Sequence, residues 1–161
     1  MKNFQYEVAV EWTGNDGTGT SSPSFGRHSE VSTLHKPTII GSAPTEFGGD
    51  GQNWAPEDLF VAAVSQCHML TYLYVCARAG IVVESYHDRA VGALDVEGAA
   101  GGQFREIVLH PEVVISRGDP QRAVALHDDA TRGCYIGRSI RTAVRVEATV
   151  TPSQKEGSNH Q

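Results

Sequence analysis

Residues 56–80 read PEDLFVAAVSQCHMLTYLYVCARAG, and how this stretch folds sets the architecture. Pro56 suits a first helical position, where a missing N–H costs nothing. Glu57 and Asp58 complement the positive end of a helix, and Arg78 with Gly80 closes the other end. The spacing predicts a helix from Pro56 to Ala79, 24 residues or about 36 Å at 1.5 Å per residue. It is apolar nearly all the way round, so both of its faces are expected to be covered. Leu59 to Ala77 is 19 residues without Asp, Glu, Lys or Arg, about the length that spans a bilayer. Ser65, Gln66, His68 and Thr71 within it, and a mean hydropathy of −0.27, favour a helix buried in protein over one in lipid.

Strand signals flank this helix. Tyr6, Val8, Val10 and Trp12 alternate with Gln5, Glu7 and Glu11, the period of a strand with one buried face. The run Gly14-Asn15-Asp16-Gly17-Thr18-Gly19 offers positive φ angles for a reversal. No helix pattern follows it, so it does not read as a phosphate loop. Short strands are expected at Arg27–Leu34 and Thr38–Ile40, then a 15-residue loop, Gly41 to Ala55. Beyond the helix, Ile81–Val83, Tyr86–Glu97 and Phe104–Ile115 read as strands, with a turn at Gly98–Gly102 making a hairpin and Pro111 marking an edge or bulge. Asp119-Pro120 caps a second helix that ends near Arg132, with Gly133 at the position a C-terminal cap favours. Ile140–Val150 alternates as a closing strand. The order of elements gives α+β, with helices packed on antiparallel sheet; no internal repeat is visible.

The 161 residues carry 13 Lys and Arg against 19 Asp and Glu, a net charge of −6, with the basic residues scattered. Nucleic acid and anionic membrane are therefore not expected partners. A single domain over residues 1–151 with a polar tail at 152–161 fits the length. Met1 to Trp12 lacks the apolar run of a secretory signal. The three cysteines, Cys67, Cys76 and Cys134, are odd in number and widely spaced, which suits reduced thiols in the cytoplasm better than a disulfide framework.

Cys67 sits midway along the predicted helix, where a cysteine alone is usually a small hydrophobe. Its context is Ala55-Pro56-Glu57-Asp58-Leu59 at the helix start, Ser65-Gln66-Cys67-His68, and Gly133-Cys134-Tyr135-Ile136 with Ser139. This combination resembles the OsmC and organic-hydroperoxide-resistance family, in which a Pro-Glu helix opening precedes Ser-x-Cys by about ten residues and a second Cys follows a later helix. The likeness runs from about Tyr6 to Val150, with the two cysteines 67 residues apart. It implies antiparallel sheets wrapped around a long central helix, in an intertwined homodimer with two sites at the subunit interface. It also implies a thiol-dependent peroxidase of organic hydroperoxides, with Cys67 as the peroxidatic and Cys134 as the resolving residue. Glu57 would be the acid that orients an arginine. No cofactor is implied beyond an external dithiol or protein thiol as reductant.

Only a thiolate attacks a peroxide oxygen, and burial raises a thiol pKa, so such a site calls for a nearby cation. Arg27, the one arginine among residues 1–77, either supplies it or is a surface charge; Arg138 is the fallback. Cys76, nine residues after Cys67, falls on the opposite helix face and reads as core. His68 points about 100° away from Cys67 and reads as a packed or hydrogen-bonded histidine rather than a general base. Trp54 and Phe47 either line an apolar substrate pocket or anchor their loop. Cys67, His68 and Cys134 lack a fourth metal ligand at a recognisable spacing. Two departures from the family pattern, Ala55 for a common Asn cap and Tyr135 for a common Pro, keep open a non-enzymatic binder of hydrophobic small molecules or a redox sensor on the same scaffold.

Overall fold

A computed structural model describes residues 2–98 and 101–154. The middle of the expected Gly98–Gly102 turn and the tail from residue 155 lie outside the described residues. The chain divides into two compact units, Met1–Phe60 and Val61–Gln161.

The first unit holds one three-stranded antiparallel sheet, β1 (Ala9–Trp12), β2 (Ser29–Ser32) and β3 (Ile39–Gly41), in that order. The loop that follows is folded upon itself. A 3-10 turn spans Thr45–Phe47, and Ser42 Oγ accepts from the Asp50 N–H at 2.9 Å. Trp54 returns to the sheet edge, its N–H donating to the Ile40 carbonyl and its own carbonyl accepting from Ser42 N–H. The first turn of helix α1 (Pro56–Arg78) closes this unit. Ala55 has no side chain to cap the helix; instead Asp58 reaches back and accepts from the Ala55 N–H at 3.0 Å.

In the second unit, β4 (Val82–Asp88), β5 (Val91–Val96), β6 (Gly102–Leu109) and β7 (Pro111–Arg117) form a long hairpin. Helix α2 (Pro120–Gly133), the short helix α3 (Tyr135–Ser139), β8 (Ala143–Val146) and β9 (Thr149–Pro152) follow. The strands make two sheets, ordered β4-β7-β9 and β5-β6-β8. The alternation in the sequence predicts single strands through residues 86–97, 104–115 and 140–150, and the structure breaks all three. The breaks at Arg89–Ala90, His110 and Glu147–Ala148 lie at one level across the three arms, so a single bend turns every strand from one sheet into the other. A bend leaves backbone polar groups without ladder partners. Here the His110 N–H donates to Asp88 Oδ1 at 2.7 Å and the Glu147 N–H to the Leu109 carbonyl at 2.8 Å. Pro111 opens β7, where its missing N–H costs no ladder bond. The closing strands pair parallel with β6 and β7, not antiparallel, because α2 and α3 carry the chain back before β8 begins.

The core of this unit joins Tyr72 and Cys76 of α1, Ile81, Val113 and Ile115 of the sheet side, and Ala123 and Ala130 of α2. Along α1 the buried positions are Val64, His68, Tyr72 and Cys76, a line four residues apart on one face. The opposite face, with Leu70 58% and Tyr74 60% exposed, is uncovered in the single chain, in contrast to the expectation that both faces are covered. Among the described residues α1 alone is long and apolar enough to cross a membrane by length and composition.

Candidate active site

Ser65-Gln66-Cys67-His68 occupies a little more than one turn of α1, so its four side chains point in four directions. Ser65 donates to Asp88 Oδ2 at 2.5 Å and ties the helix to the bend of the sheets. His68 turns into the core. Cys67 is half-buried and opens into a pocket of about 740 Å³ lined by Leu70, Tyr74, Val75, Tyr135, Ile136 and Arg138.

The second cysteine arrives from the far side of the unit. Asp119 caps α2, its side chain accepting from the Arg122 N–H at 3.0 Å, and the helix runs through Gly133 rather than stopping before it. A Cβ on Gly133 would lie 3.0 Å from the Thr71 methyl, so glycine serves a close crossing of α2 over α1 here, not a left-handed cap. Cys134 follows at once in an extended conformation that also begins α3. The residue is 3% exposed, and its sulfur lies beside that of Cys67. The Gly137 N–H donates to Cys134 Sγ at 3.3 Å and the Ile136 N–H to Cys67 Sγ at 3.5 Å. Burial pushes the Cys134 thiol pKa up, and the Cys67 sulfur beside it adds to the rise, while the Gly137 N–H opposes it. Both thiols are free.

The third cysteine, Cys76, is fully buried in the core and packs on Tyr72. Burial raises its pKa as well, as expected for an inert thiol.

Arg27 and Glu57 belong to the first unit. The Arg27 guanidinium donates to the carbonyls of Phe47, Phe25 and Pro23 and lies over the Phe25 ring at 3.8 Å. Glu57 Oε2 is buried without a hydrogen-bond partner among the described residues. Arg138 is on α3, in the wall that Cys67 shares. Phe47 and Trp54 are 44% and 52% exposed, and Trp54 anchors its loop through the backbone bonds given above.

One pair of residues was invisible to motif reading. His68 Nε2 and His127 Nδ1 are 3.0 Å apart, and His127 stacks on Tyr72 with ring centroids 3.8 Å apart. Both imidazoles are buried. Burial holds His68 below the usual histidine range against the pull of the Asp88 carboxylate, and burial with His68 alongside takes His127 down to about 3. The two histidines are 59 residues apart in sequence, so only the buried stripe of α1 hints that His68 needs a polar partner. Among the described residues no group of three or more His, Cys, Asp or Glu is placed to hold a metal ion.

The sequence profile of OsmC-like proteins matches residues 49–149, a span that contains Cys67, Cys134 and the whole of α1. The chain belongs to the OsmC-like family. An uncharacterised protein of Bacillus subtilis, YmaD, is 25% identical over 153 residues, covering 91% of this chain and 93% of that protein. Among solved structures, an OsmC-like protein of unknown function from Vibrio cholerae is 29% identical. It superposes with a TM-score of 0.83 over 91% of this chain and all of the other. An organic hydroperoxide resistance protein from Elizabethkingia anophelis, at 22% identity, shares the fold with a TM-score of 0.68 over 95% of this chain and 100% of that one. The α+β fold expected from the sequence is therefore the OsmC-like fold.

Proposed function

We propose that this OsmC-like protein is a thiol-dependent peroxidase that reduces organic hydroperoxides. One observation carries the reading: two thiols 67 residues apart in sequence lie side by side, and one of them enters a largely apolar pocket. The Cys67 thiolate attacks a peroxide oxygen. The S–O bond forms as the O–O bond breaks, and the alkoxide leaves as the alcohol once protonated. Cys67 is then a sulfenic acid, and the hydroperoxide has taken its two electrons. Cys134 condenses with the sulfenic acid, expelling water and forming a disulfide. An external dithiol or protein thiol reopens it by exchange and leaves oxidised. No bound cofactor enters.

The guanidinium of Arg138 supports the thiolate and the breaking O–O bond, since it cannot lose its proton and lines the same pocket as Cys67. Arg27 is the second candidate for that charge, with Glu57 as its orienting acid; the buried, unpartnered Glu57 Oε2 fits an acid awaiting a cation. The exposed Leu70 and Tyr74 of α1, and separately Tyr6, Val8 and Val10 near β1, suit surfaces covered in a homodimer. We place the protein in the cytoplasm, where reductant for the disulfide is at hand.

Turnover of cumene or tert-butyl hydroperoxide with a dithiol present tests the reading. Cys67→Ser abolishes turnover, and Cys134→Ser allows one oxidation followed by inactivation. A binder would show no turnover, and a sensor would oxidise once without cycling.

A further inference from the structure

Cys134 lines a second cavity of about 200 Å³, whose wall also carries His68, Thr131, Thr142 and Arg138; Arg138 is common to it and to the Cys67 pocket. That volume holds several water molecules at about 30 Å³ each. His68 is fixed within this wall. Its Nε2 is taken by His127 Nδ1 at 3.0 Å, and His127 is itself held by stacking on Tyr72. With the shared proton on His68 Nε2, the lone pair of Nδ1 is free for the cavity.

We propose that His68 accepts the proton of Cys134 through this cavity as the disulfide forms, with His127 as the residue that positions it. The inference rests on the peroxidase reading. Cys134 must lose its proton to displace hydroxide from the Cys67 sulfenic acid, and its burial works against that loss. In the step, the S–S bond forms and the S–O bond of Cys67 breaks. The Cys134 proton passes to His68 Nδ1, the hydroxide takes a proton from solvent in the larger pocket and leaves as water, and His68 returns its proton to the cavity water. No further oxidant or reductant is needed.

The surroundings fit a base that is neutral at rest. The titratable and charged groups around His68 are His127 of α2, its hydrogen-bond partner, Cys134 and Arg138, which share its cavity wall, and Asp88 of β4. Asp88 favours the imidazolium. In the tautomer that carries the shared proton on His68 Nε2, His127 Nδ1 accepts and the His127 proton sits on its buried Nε2; burial and the neighbouring His68 keep His127 from competing for the Cys134 proton.

The test separates the two chemical steps. Reduced protein is mixed with one equivalent of cumene hydroperoxide and quenched at intervals. Mass spectrometry reads the sulfenic acid as its dimedone adduct, and the disulfide as the loss of two alkylatable thiols. In the wild type the disulfide rate falls as pH drops through an ionisation below 6.5. In His68→Gln the sulfenic acid accumulates, the disulfide forms about 100-fold more slowly at pH 7, and that acid limb disappears. Added imidazole recovers part of the rate in His68→Ala. A disulfide rate in His68→Gln equal to wild type, with the same pH profile, overturns the inference. If the variants do not fold, a wild-type rate that simply tracks thiol ionisation with no inflection below 6.5 overturns it equally. Absence of any oxidation of Cys67 in wild-type protein, as sulfenic acid or as disulfide, sinks the peroxidase reading instead.

Discussion

Replacing His127 with Phe should make the protein less sensitive to acid while making it less stable at neutral pH. In the folded chain His127 is neutral down to about 3, against an ordinary value of 6.5. The unfolded chain therefore binds a proton that the folded chain refuses across that window. Its contribution to stability is fully present above pH 6.5 and is lost as pH falls towards 3. At about 1.36 kcal/mol per pH unit the limit is about 5 kcal/mol. Screening and local relaxation cut such figures, so about 2 kcal/mol is the working expectation. Phe keeps the stack on Tyr72 but leaves His68 Nε2 without its partner, a cost of about 1–3 kcal/mol. Urea unfolding at a fixed protein concentration, repeated at half-unit steps from pH 7.5 to 4.5, reads both effects. The variant should start lower and lose about 1–2 kcal/mol less than wild type over that range. Parallel curves would refute the claim that His127 is held neutral by the fold.

Cutting the tie between helix and bend, by Ser65→Ala, should cost about 1 kcal/mol. Asp88→Ala should cost more, about 2–3 kcal/mol, since it also strands the His110 N–H; both are read in the same urea titrations. Cys76→Ala should lower stability by about 1–2 kcal/mol and leave hydroperoxide turnover intact, whereas loss of turnover would place Cys76 in the chemistry. Arg138→Gln and Arg27→Gln, compared for the rate of Cys67 oxidation as a function of pH, identify the activating cation. We expect the larger fall, about 100-fold, from Arg138→Gln.

The helix and its cap residues could be read from the sequence because local signals and tertiary outcome agree: Pro56, Glu57, Asp58 and Asp119 each do what their chemistry favours. The meeting of Cys67 with Cys134 was legible only through the family likeness, since nothing local at residue 67 announces a partner at 134. The bend was hidden because alternation continues through it. Residues on both sides of His110 keep the period of two, and what breaks the strand is the hydrogen bond that the His110 N–H donates to Asp88, 22 residues away. The expectation of a helix covered all round failed for the isolated chain, since composition reports that a face will be buried but not by which molecule. The His68–His127 pair escaped because a lone histidine on an apolar helix carries no sign of its partner. Gly133 reads as a helix stop in the sequence, whereas its lack of a side chain serves the crossing with Thr71.

That crossing also acts as a spacer. Gly133, immediately before Cys134, faces the methyl of Thr71, one helical turn after Cys67, so the crossing sits close to both sulfurs without including either. Gly133→Ala would push the helices apart by a few tenths of an ångström without altering either thiol, and on the proposed peroxidase reading it would slow disulfide closure. Timing in such a device is therefore a matter of bulk at a site with no chemistry of its own, open to adjustment while the reacting atoms stay unchanged.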